Sequence, residues 1–382
     1  MEHYVMLLVN TAVVVSCMLM AVVFLLLPLP ENKGLHKYRI SLRFLAGAYI
    51  AMALLKAFIM LFDIAIINLI PMEGLVTASL QAPLFTFALI TLINPSSIKK
   101  TYLHKQFIPV LIFIILFIFS AQKWGNPSIL SSAGLKINAL HPTLIIRELF
   151  LFYYAYQLLY LTRMFLHQER IYEKRIDSYF ADSYHLQLPG VRRSFYSALI
   201  VGIFAFISCF IPSSLLMMLF EAAYALFYLV FGLYYIQYPR KFIYIEPAIY
   251  LPSPSLDKLA TSKMRLVWDD LKNQIIAEKY YLKPGVTIDE MAQYLKIGRT
   301  TLSTFINNHE GMNFNQWINS LRIDEAKNLL IDYPHYNLTQ IAELIGYSES
   351  SNFSRQFKLI TKESPSVWRQ TYLVESPNYE LN

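Results

Sequence analysis

Charged residues and cysteines are both scarce in this sequence of 382 residues. Only 15% of the residues are charged, compared with roughly 25% in soluble domains. The two cysteines, Cys17 and Cys209, lie inside apolar runs, which favours small buried side chains over a disulfide framework or a metal site. Walker, HExxH, GxSxG and CxxC motifs are absent, and the carboxylates show no catalytic pairing. We therefore predict that the protein is not an enzyme and needs no metal or cofactor.

The few charges are distributed unevenly along the chain. Up to about Tyr238 the sequence consists mostly of long apolar runs, whereas after about Leu256 it has the composition of a soluble helical protein. Prolines interrupt the stretch between these regions, as is typical of a semi-rigid spacer. We predict an all-α protein with a transmembrane domain at 1–238, a linker at 239–261 and a DNA-binding domain at 262–382.

Seven apolar runs are long enough to cross a lipid bilayer. A helix needs roughly 20 mostly apolar residues to span the hydrocarbon. No basic region precedes the first run, which is therefore interpreted as a retained span and not as a signal peptide. The predicted spans of this seven-helix bundle are Tyr4–Leu27, Phe44–Phe62, Leu75–Leu92, Phe107–Ala121, Leu144–Phe165, Phe195–Ile211 and Ser214–Tyr238.

The loops between the predicted spans differ in their basic residues. Lys and Arg concentrate in the first, third and fifth loops and at the start of the tail, whereas the second loop, at 63–74, has none. Basic loops are cytoplasmic under the positive-inside rule. We therefore predict a multi-pass protein of the bacterial cytoplasmic (inner) membrane, with its N-terminus outside and its C-terminal domain in the cytoplasm, where DNA is accessible.

Some ionisable residues lie inside the predicted spans, and the candidates for a shared site are Lys56, Arg147, Glu148 and Glu221. A charge in the hydrocarbon costs about 2.5–3.5 kcal/mol on insertion scales, so such residues face a partner or a cavity. One interpretation is a polar pocket that binds a signal. The other is pairing between helices that only fixes their packing. The sequence leaves both open.

The soluble region contains two similar helix-turn-helix patterns, at 287–308 and 337–360. In the first, Thr287 and Glu290 have the spacing of a capping box, and a short helix, a tight turn and a second helix follow. The second begins with a similar cap at Asn337 and lies fifty residues further along the chain. A predicted helix at 315–331 joins them. Two such units could present their second helices to successive major grooves.

This doubled pattern resembles the DNA-binding domain of the AraC/XylS family of transcription regulators. The residues that carry the resemblance are "LSTFINNHEGMNFNQWINSLRIDEAKNLL" (Leu302–Leu330) and "IAELIGYSESSNFSRQFKLITKESPSVWR" (Ile341–Arg369). The resemblance implies that exposed side chains of both recognition helices read bases. It covers under a third of the chain, and the family's usual soluble effector barrel is replaced by apolar runs, so no inducer is implied.

The predicted DNA-facing residues are polar and occupy the outer faces of the two recognition helices. Arg355 is the strongest candidate, because a guanidinium can pair bidentately with guanine. Lys358 is interpreted as a phosphate or structural contact. For the others, a merely solvated face is the alternative. The full set is Thr300, Thr301, Ser303, Thr304, Ser350, Ser351, Asn352, Ser354, Arg355 and Lys358.

The sequence departs from the family pattern at two positions. Lys296 and Lys362 stand where family members usually have glycine. If the backbone there requires a positive φ, each lysine should cost about 1 kcal/mol. This affects local geometry and not the predicted fold.

These observations favour a membrane-embedded, sequence-specific transcription regulator that senses a signal through its spans. One alternative is a transporter-like or other membrane protein with an appended DNA-binding domain. Another is a passive anchor that holds an ordinary regulator at the membrane. The predicted partners are double-stranded promoter DNA and the lipid bilayer. Further candidates are RNA polymerase, a second copy of the chain and an unidentified signal ligand.

Overall fold

The computed structural model describes residues 2–28, 35–61, 69–94, 97–98, 100–182, 189–236 and 262–375. Within these ranges the chain is helical and contains no strand, and one isolated β-bridge joins Phe180 to Thr287. The prediction of an all-α protein is confirmed. The linker predicted at 239–261 lies outside the described residues.

The chain divides into two compact units. Residues 1–172 and 188–246 form the N-terminal unit, and residues 173–187 and 247–382 form the C-terminal unit. The sequence predicts a transmembrane domain that includes residues 173–187. Their grouping with the C-terminal unit is a feature that the sequence did not reveal.

The described part of the N-terminal unit is built from eight helices. All but the six-residue α5 are long and apolar enough to cross a membrane, and they follow the order of the seven predicted spans. The fourth is longer than predicted, because the helix continues through polar residues at both ends of its apolar run. The helices are α1 (Glu2–Leu26), α2 (Leu35–Leu61), α3 (Met72–Ile93), α4 (Lys100–Trp124), α5 (Ser132–Ile137), α6 (Pro142–Tyr179), α7 (Pro189–Ser208) and α8 (Ser214–Ile236).

Hydrogen bonds between polar groups join several of these helices. The Tyr38 hydroxyl donates to the carbonyl of Tyr235 at 2.7 Å, which joins α2 to α8. The Gln157 amide donates to the carbonyl of Ser79 at 3.1 Å, which joins α6 to α3. Buried polar groups need such partners, because leaving a buried donor or acceptor without one costs more free energy than a typical hydrogen bond contributes to stability. These bonds fix which helix faces are neighbours.

The C-terminal unit contains seven further α-helices among its described residues. The longest, α12, contacts the other helices at both of its ends. Near its start, the Trp317 ring lies 5.3 Å from the Trp268 ring, which itself stacks on Phe305. Further along, Ala326 and Leu330 join the apolar core of the last three helices. The helices are α9 (Ser262–Ala277), α10 (Ile288–Tyr294), α11 (Arg299–Phe305), α12 (Phe314–Asp332), α13 (Leu338–Leu344), α14 (Ser350–Thr361) and α15 (Pro365–Glu375).

Candidate nucleic-acid interface

Helices α10 and α11 form the first predicted helix-turn-helix pair. The Thr287 hydroxyl accepts a hydrogen bond from the backbone N–H of Glu290 at 3.2 Å, and the Glu290 carboxylate accepts one from the N–H of Thr287 at 3.1 Å. This is the predicted capping box, which satisfies two donors at the start of α10. In the turn, the N–H of Ile297 donates to the carbonyl of Ala292 at 3.0 Å.

Helices α13 and α14 repeat this arrangement fifty residues later. Asn337 and Gln340 form the second capping box, with both bonds at 2.9 Å. The N–H of Tyr347 donates to the carbonyl of Ala342 at 2.9 Å, in the position that corresponds to the bond of the first turn. The two pairs are therefore equivalent in local geometry, as the sequence repeat predicted.

Both pairs require a left-handed residue in the turn and another after the second helix. In the turns, φ is 55° at Lys296 and 82° at Gly346. After the second helices, φ is 68° at Gly311 and 72° at Lys362. Each type of position holds glycine in one repeat and lysine in the other. Lys296 and Lys362 both have a positive φ, so each carries about 1 kcal/mol of backbone strain.

The first recognition helix, α11, presents a polar outer face. Thr300 and Thr301 are exposed, whereas Ser303 and Thr304 are half-buried. The opposite side of the helix is anchored in the core, where Leu302 is completely buried. A short side chain on such a face can approach a base edge or a phosphate only if the whole helix enters a groove.

The second recognition helix, α14, carries the basic residues of the predicted DNA-facing set, Arg355 and Lys358. Ser351, Arg355 and Lys358 are exposed, and Ser350 and Ser354 are half-buried. The helix is strongly amphipathic, because Phe353 and Phe357 lie fully buried on its inner side.

Asn352 is buried, in contrast to the prediction from the sequence. It was expected to be exposed on α14, but only 2% of its surface is accessible. The amide is covered because it forms hydrogen bonds on both sides, to a carboxylate from residues 173–182 and to the guanidinium of Arg355.

Comparison with known proteins identifies the region that contains these two pairs. Residues 291–371 match the family described as "Helix-turn-helix domain". The chain is 31% identical over 87 residues to the raffinose operon transcriptional regulatory protein of Pediococcus pentosaceus, covering 23% of this chain and 31% of that protein. It is 28% identical over 109 residues to a helix-turn-helix transcriptional regulator of Staphylococcus aureus, covering 28% of this chain and 14% of the relative. The chain thus spans a third or less of these relatives.

Residues 291–371 are a helix-turn-helix domain. The AraC-type resemblance is confirmed for this part of the chain. A solved structure, the C-terminal domain of the response regulator AraT from Geobacillus stearothermophilus, is 25% identical, with a TM-score of 0.24 and coverage of 28% of this chain and 84% of that one.

Residues 173–182, which we call the docking segment, pack on the helix-turn-helix domain. The N–H of Ala181 donates to the carbonyl of Val286 at 3.1 Å. The amide of Asn315 donates to the carbonyls of Phe180 and Ala181 at 3.2 and 2.6 Å, and the amide of Asn319 donates to the carbonyl of Ala181 at 3.1 Å. Phe180 and Ala181 are both buried. Since these bonds involve backbone groups, the segment is held in a defined register.

The docking segment also connects to the second recognition helix. The Asp182 carboxylate accepts hydrogen bonds from the Asn352 amide at 2.6 Å and from the Ser348 hydroxyl at 3.3 Å. The side-chain oxygen Oδ1 of Asn352 accepts a hydrogen bond from the Arg355 guanidinium at 2.9 Å. A continuous chain of hydrogen bonds therefore runs from the docking segment to the strongest predicted base-reading side chain.

A similar connection reaches the first recognition helix. The Tyr179 hydroxyl donates to the Asp289 carboxylate at 2.8 Å. The same carboxylate accepts a hydrogen bond from the Arg299 guanidinium at 3.4 Å, and Arg299 is the first residue of α11. The docking segment is thus linked to the start of both recognition helices. The sequence contains no local signal of these contacts, because Tyr179–Asp182 has the composition of an ordinary amphipathic loop between two spans.

Arg322 fixes the chain that precedes α10 to the second helix-turn-helix pair. It is completely buried, and its guanidinium donates to the carbonyls of Tyr281 and Lys283, both at 2.8 Å. The guanidinium lies 5.3 Å from the Tyr347 ring. Burial lowers the pKa of Arg322 and raises that of Tyr347. The arginine stays charged despite this shift, because its reference pKa is far above neutral.

The four ionisable residues predicted in the spans separate into two groups. Lys56 and Glu221 form an ion pair, with side chains 12% and 16% exposed, and both line a cavity of the N-terminal unit. Arg147 is buried and donates to backbone carbonyls, including that of Ile70 at 2.7 Å. Glu148 is half-buried. Neither Arg147 nor Glu148 lines the cavity.

Proposed function

We propose that the protein is a sequence-specific DNA-binding transcription regulator. The observation that carries this proposal is the pair of equivalent helix-turn-helix units, each with its second helix anchored by buried apolar residues and its polar face outward. That arrangement suits insertion of both helices into the major groove. The names of the relatives describe them as transcriptional regulators, which supports the same function.

We also propose that the N-terminal unit is embedded in the bacterial cytoplasmic membrane, with the C-terminal unit in the cytoplasm. Its seven long apolar helices and the alternation of basic loops support this placement. Helix α4 exposes a row of large apolar side chains, among them Leu111, Ile115 and Phe119. An exposed apolar surface of this kind is stable against lipid and unstable in water.

The docking segment is the proposed route from the spans to the DNA-binding surface. It begins within the C-terminal end of α6, whose 38 residues far exceed the roughly 20 needed to cross a bilayer. A signal that binds two arrangements of the spans with different affinity would shift their populations. The shift would reach both recognition helices through Tyr179 and Asp182. These two connections support a sensing role for the spans over that of a passive anchor.

The proposed function is tested by selecting DNA from a random pool with the full chain in lipid nanodiscs, followed by footprinting. We expect a recovered motif with two protected segments about one helical turn, or 34 Å, apart. Selection of a single short segment would mean that only one helix-turn-helix unit reads DNA. No enrichment at moderate salt would contradict the proposal.

Arg355→Ala is expected to weaken specific DNA binding by about 1–3 kcal/mol, since a bidentate contact to guanine is lost. Arg355→Lys keeps the charge but not the planar fork, so it should recover only the salt-dependent part of the affinity. The measurement is a titration of selected and random DNA at several salt concentrations. Lys327→Ala, which removes a charge paired with Asp324 on α12, is the control. Equal discrimination by wild type and Arg355→Ala would rule out base reading by this residue.

Asp182→Ala is expected to raise DNA affinity by about threefold to tenfold, the size of one charge interaction at high effective dielectric. The carboxylate holds Asn352, and through it Arg355, and it would repel the phosphates of bound DNA. The measurement is a DNA titration with the full chain in nanodiscs. Asp324→Ala removes an exposed acid from α12 and serves as the control. A fall in affinity would show that the docked segment supports the DNA-bound arrangement.

A further inference from the structure

The N-terminal unit contains a partly open cavity of about 140 Å³. Residues from α1, α2, α3, α6, α7 and α8 line it, so a change in its contents affects most of the long helices. A cavity of about 150 Å³ in another protein is large enough to hold benzene. The size therefore suits a ligand of roughly six to ten non-hydrogen atoms.

The charged groups of the cavity wall do not balance. Its described residues include one ammonium, Lys56, and two carboxylates, Glu73 and Glu221. Lys56 is already paired with Glu221. A second carboxylate in a largely apolar enclosure is costly unless a cation or a donor compensates it. Arg147, which is buried outside the wall, also acts on Glu73. The wall itself carries one more carboxylate than ammonium, which disfavours a negatively charged ligand.

Several polar atoms of the wall lack partners among the described residues. They are Asn10 Oδ1, Gln81 Nε2 and Glu221 Oε2. Asn10 is only 6% exposed and Gln81 only 4%. Buried polar atoms are normally satisfied, so those without a partner inside the protein indicate a bound molecule. Two of the three atoms are acceptors, which again favours a ligand that donates hydrogen bonds.

The rest of the wall is rich in aromatic rings. Aromatic faces attract organic cations through their quadrupole and pack well against an apolar body. The Tyr228 hydroxyl donates to Gln81 Oε1, which orients the amide. The rings that line the cavity are Phe85, Tyr154, Phe195, Phe220, Tyr224, Phe227 and Tyr228.

We propose that this cavity binds a small organic amine. Its ammonium donates hydrogen bonds to the unpartnered oxygens of Asn10 and Glu221, and its apolar body lies among the aromatic rings. The identification of this amine as the signal rests on the proposed regulatory function. Its binding to the cavity does not.

The test uses phenethylamine as the probe, with its anionic counterpart phenylacetate and the neutral ethylbenzene for comparison. Saturable binding to the full chain in nanodiscs is measured by calorimetry and by the shift in Tm. We expect phenethylamine to bind at least tenfold more tightly than either comparison compound. Tighter binding of phenylacetate would overturn the proposal in favour of an anion site at Lys56. Absence of saturable binding by all three would also overturn it and indicate a hydrated cavity.

Variants locate the binding site. Glu221→Gln is expected to weaken phenethylamine binding at least tenfold, but it also leaves Lys56 without its partner and could impair folding. Asn10→Leu breaks no ion pair and should weaken binding about threefold to tenfold, as expected for one lost charge-assisted hydrogen bond. Glu148→Gln, a carboxylate of the same unit outside the cavity wall, is the control and should bind like wild type. Equal binding by Asn10→Leu and Glu148→Gln would place the amine elsewhere.

The amine assay and the DNA selection fail independently. Amine binding without any selected DNA motif would preserve the cavity site and contradict the regulator. A DNA motif without amine binding would preserve the regulator and contradict the cavity site. If both succeed, phenethylamine should change the DNA affinity of wild type and not that of Asn10→Leu.

Discussion

Gly346→Ala is expected to destabilise the helix-turn-helix domain by about 2–4 kcal/mol. Gly346 has φ 82°, where an L-residue is strained by about 1 kcal/mol. A Cβ at this position would also overlap the carbonyl oxygen of Leu282 and lie 3.0 Å from the Arg322 guanidinium. Neither can retreat easily, because Arg322 is buried and bonded to the same backbone segment. Overpacking of this kind costs about 1–3 kcal/mol more.

Gly311→Ala provides a matched control for the backbone strain. Gly311 has φ 68°, but a Cβ there would meet nothing within 4 Å. Its substitution should cost only about 1 kcal/mol. The difference between the two variants isolates the contact with Leu282 and Arg322.

Hydrogen exchange of the full chain in nanodiscs measures both effects. In peptides from α12 and α13, Gly346→Ala should accelerate exchange by roughly thirtyfold to several-hundredfold, since each 1.4 kcal/mol is a factor of ten. Gly311→Ala should accelerate exchange in its own helix pair by about fivefold on the same scale. Equal acceleration by both variants would show that the chain before α10 does not restrict the second turn.

The features that the sequence predicted are those specified by local chemistry. Thr287 with Glu290, and Asn337 with Gln340, have the spacing of a capping box whatever surrounds them. The apolar spans depend only on length and composition. The strain at Lys296 and Lys362 was stated conditionally from the family pattern, and both residues do have positive φ.

The features that the sequence did not predict depend on contacts between distant residues. A turn glycine such as Gly346 indicates a positive φ, but not that its missing Cβ makes room for Leu282. Arg147 has the sequence context of a pocket residue and instead binds backbone carbonyls. Asn352 has the spacing of an exposed residue and is covered by Asp182. Each of these three residues has a partner more than sixty positions away, beyond the reach of periodicity.

Asn315→Leu is expected to release the docking segment from the helix-turn-helix domain. The Asn315 amide donates to the carbonyls of Phe180 and Ala181, and leucine has nearly the same shape without a donor. The substitution also removes the hydrogen bond that Asn315 Oδ1 accepts from the Asn319 amide at 3.1 Å. Three lost hydrogen bonds at about 1 kcal/mol each give a loss of about 3 kcal/mol. Exchange at the Ala181 N–H should accelerate by roughly thirtyfold or more on this scale.

Ser320→Ala is the control on the same helix, because the Ser320 hydroxyl donates within α12, to the carbonyl of Trp317 at 2.7 Å. It should leave exchange in the docking segment unchanged. If Asn315→Leu leaves it unchanged too, the remaining hydrogen bonds of the segment are sufficient to hold it, and the Asn315 amide is not required for docking.

The functional consequence follows from combining Asn315→Leu with Asp182→Ala. A released docking segment no longer brings the Asp182 carboxylate to Asn352, so Asn315→Leu alone should raise DNA affinity about as much as Asp182→Ala does. In the double variant the carboxylate is lost only once, and its effect should therefore be far less than the sum of the two. Additive effects on DNA affinity would mean that Asn315 and Asp182 act on DNA binding separately. The docking segment would then not be the route from the spans to the recognition helices that we propose.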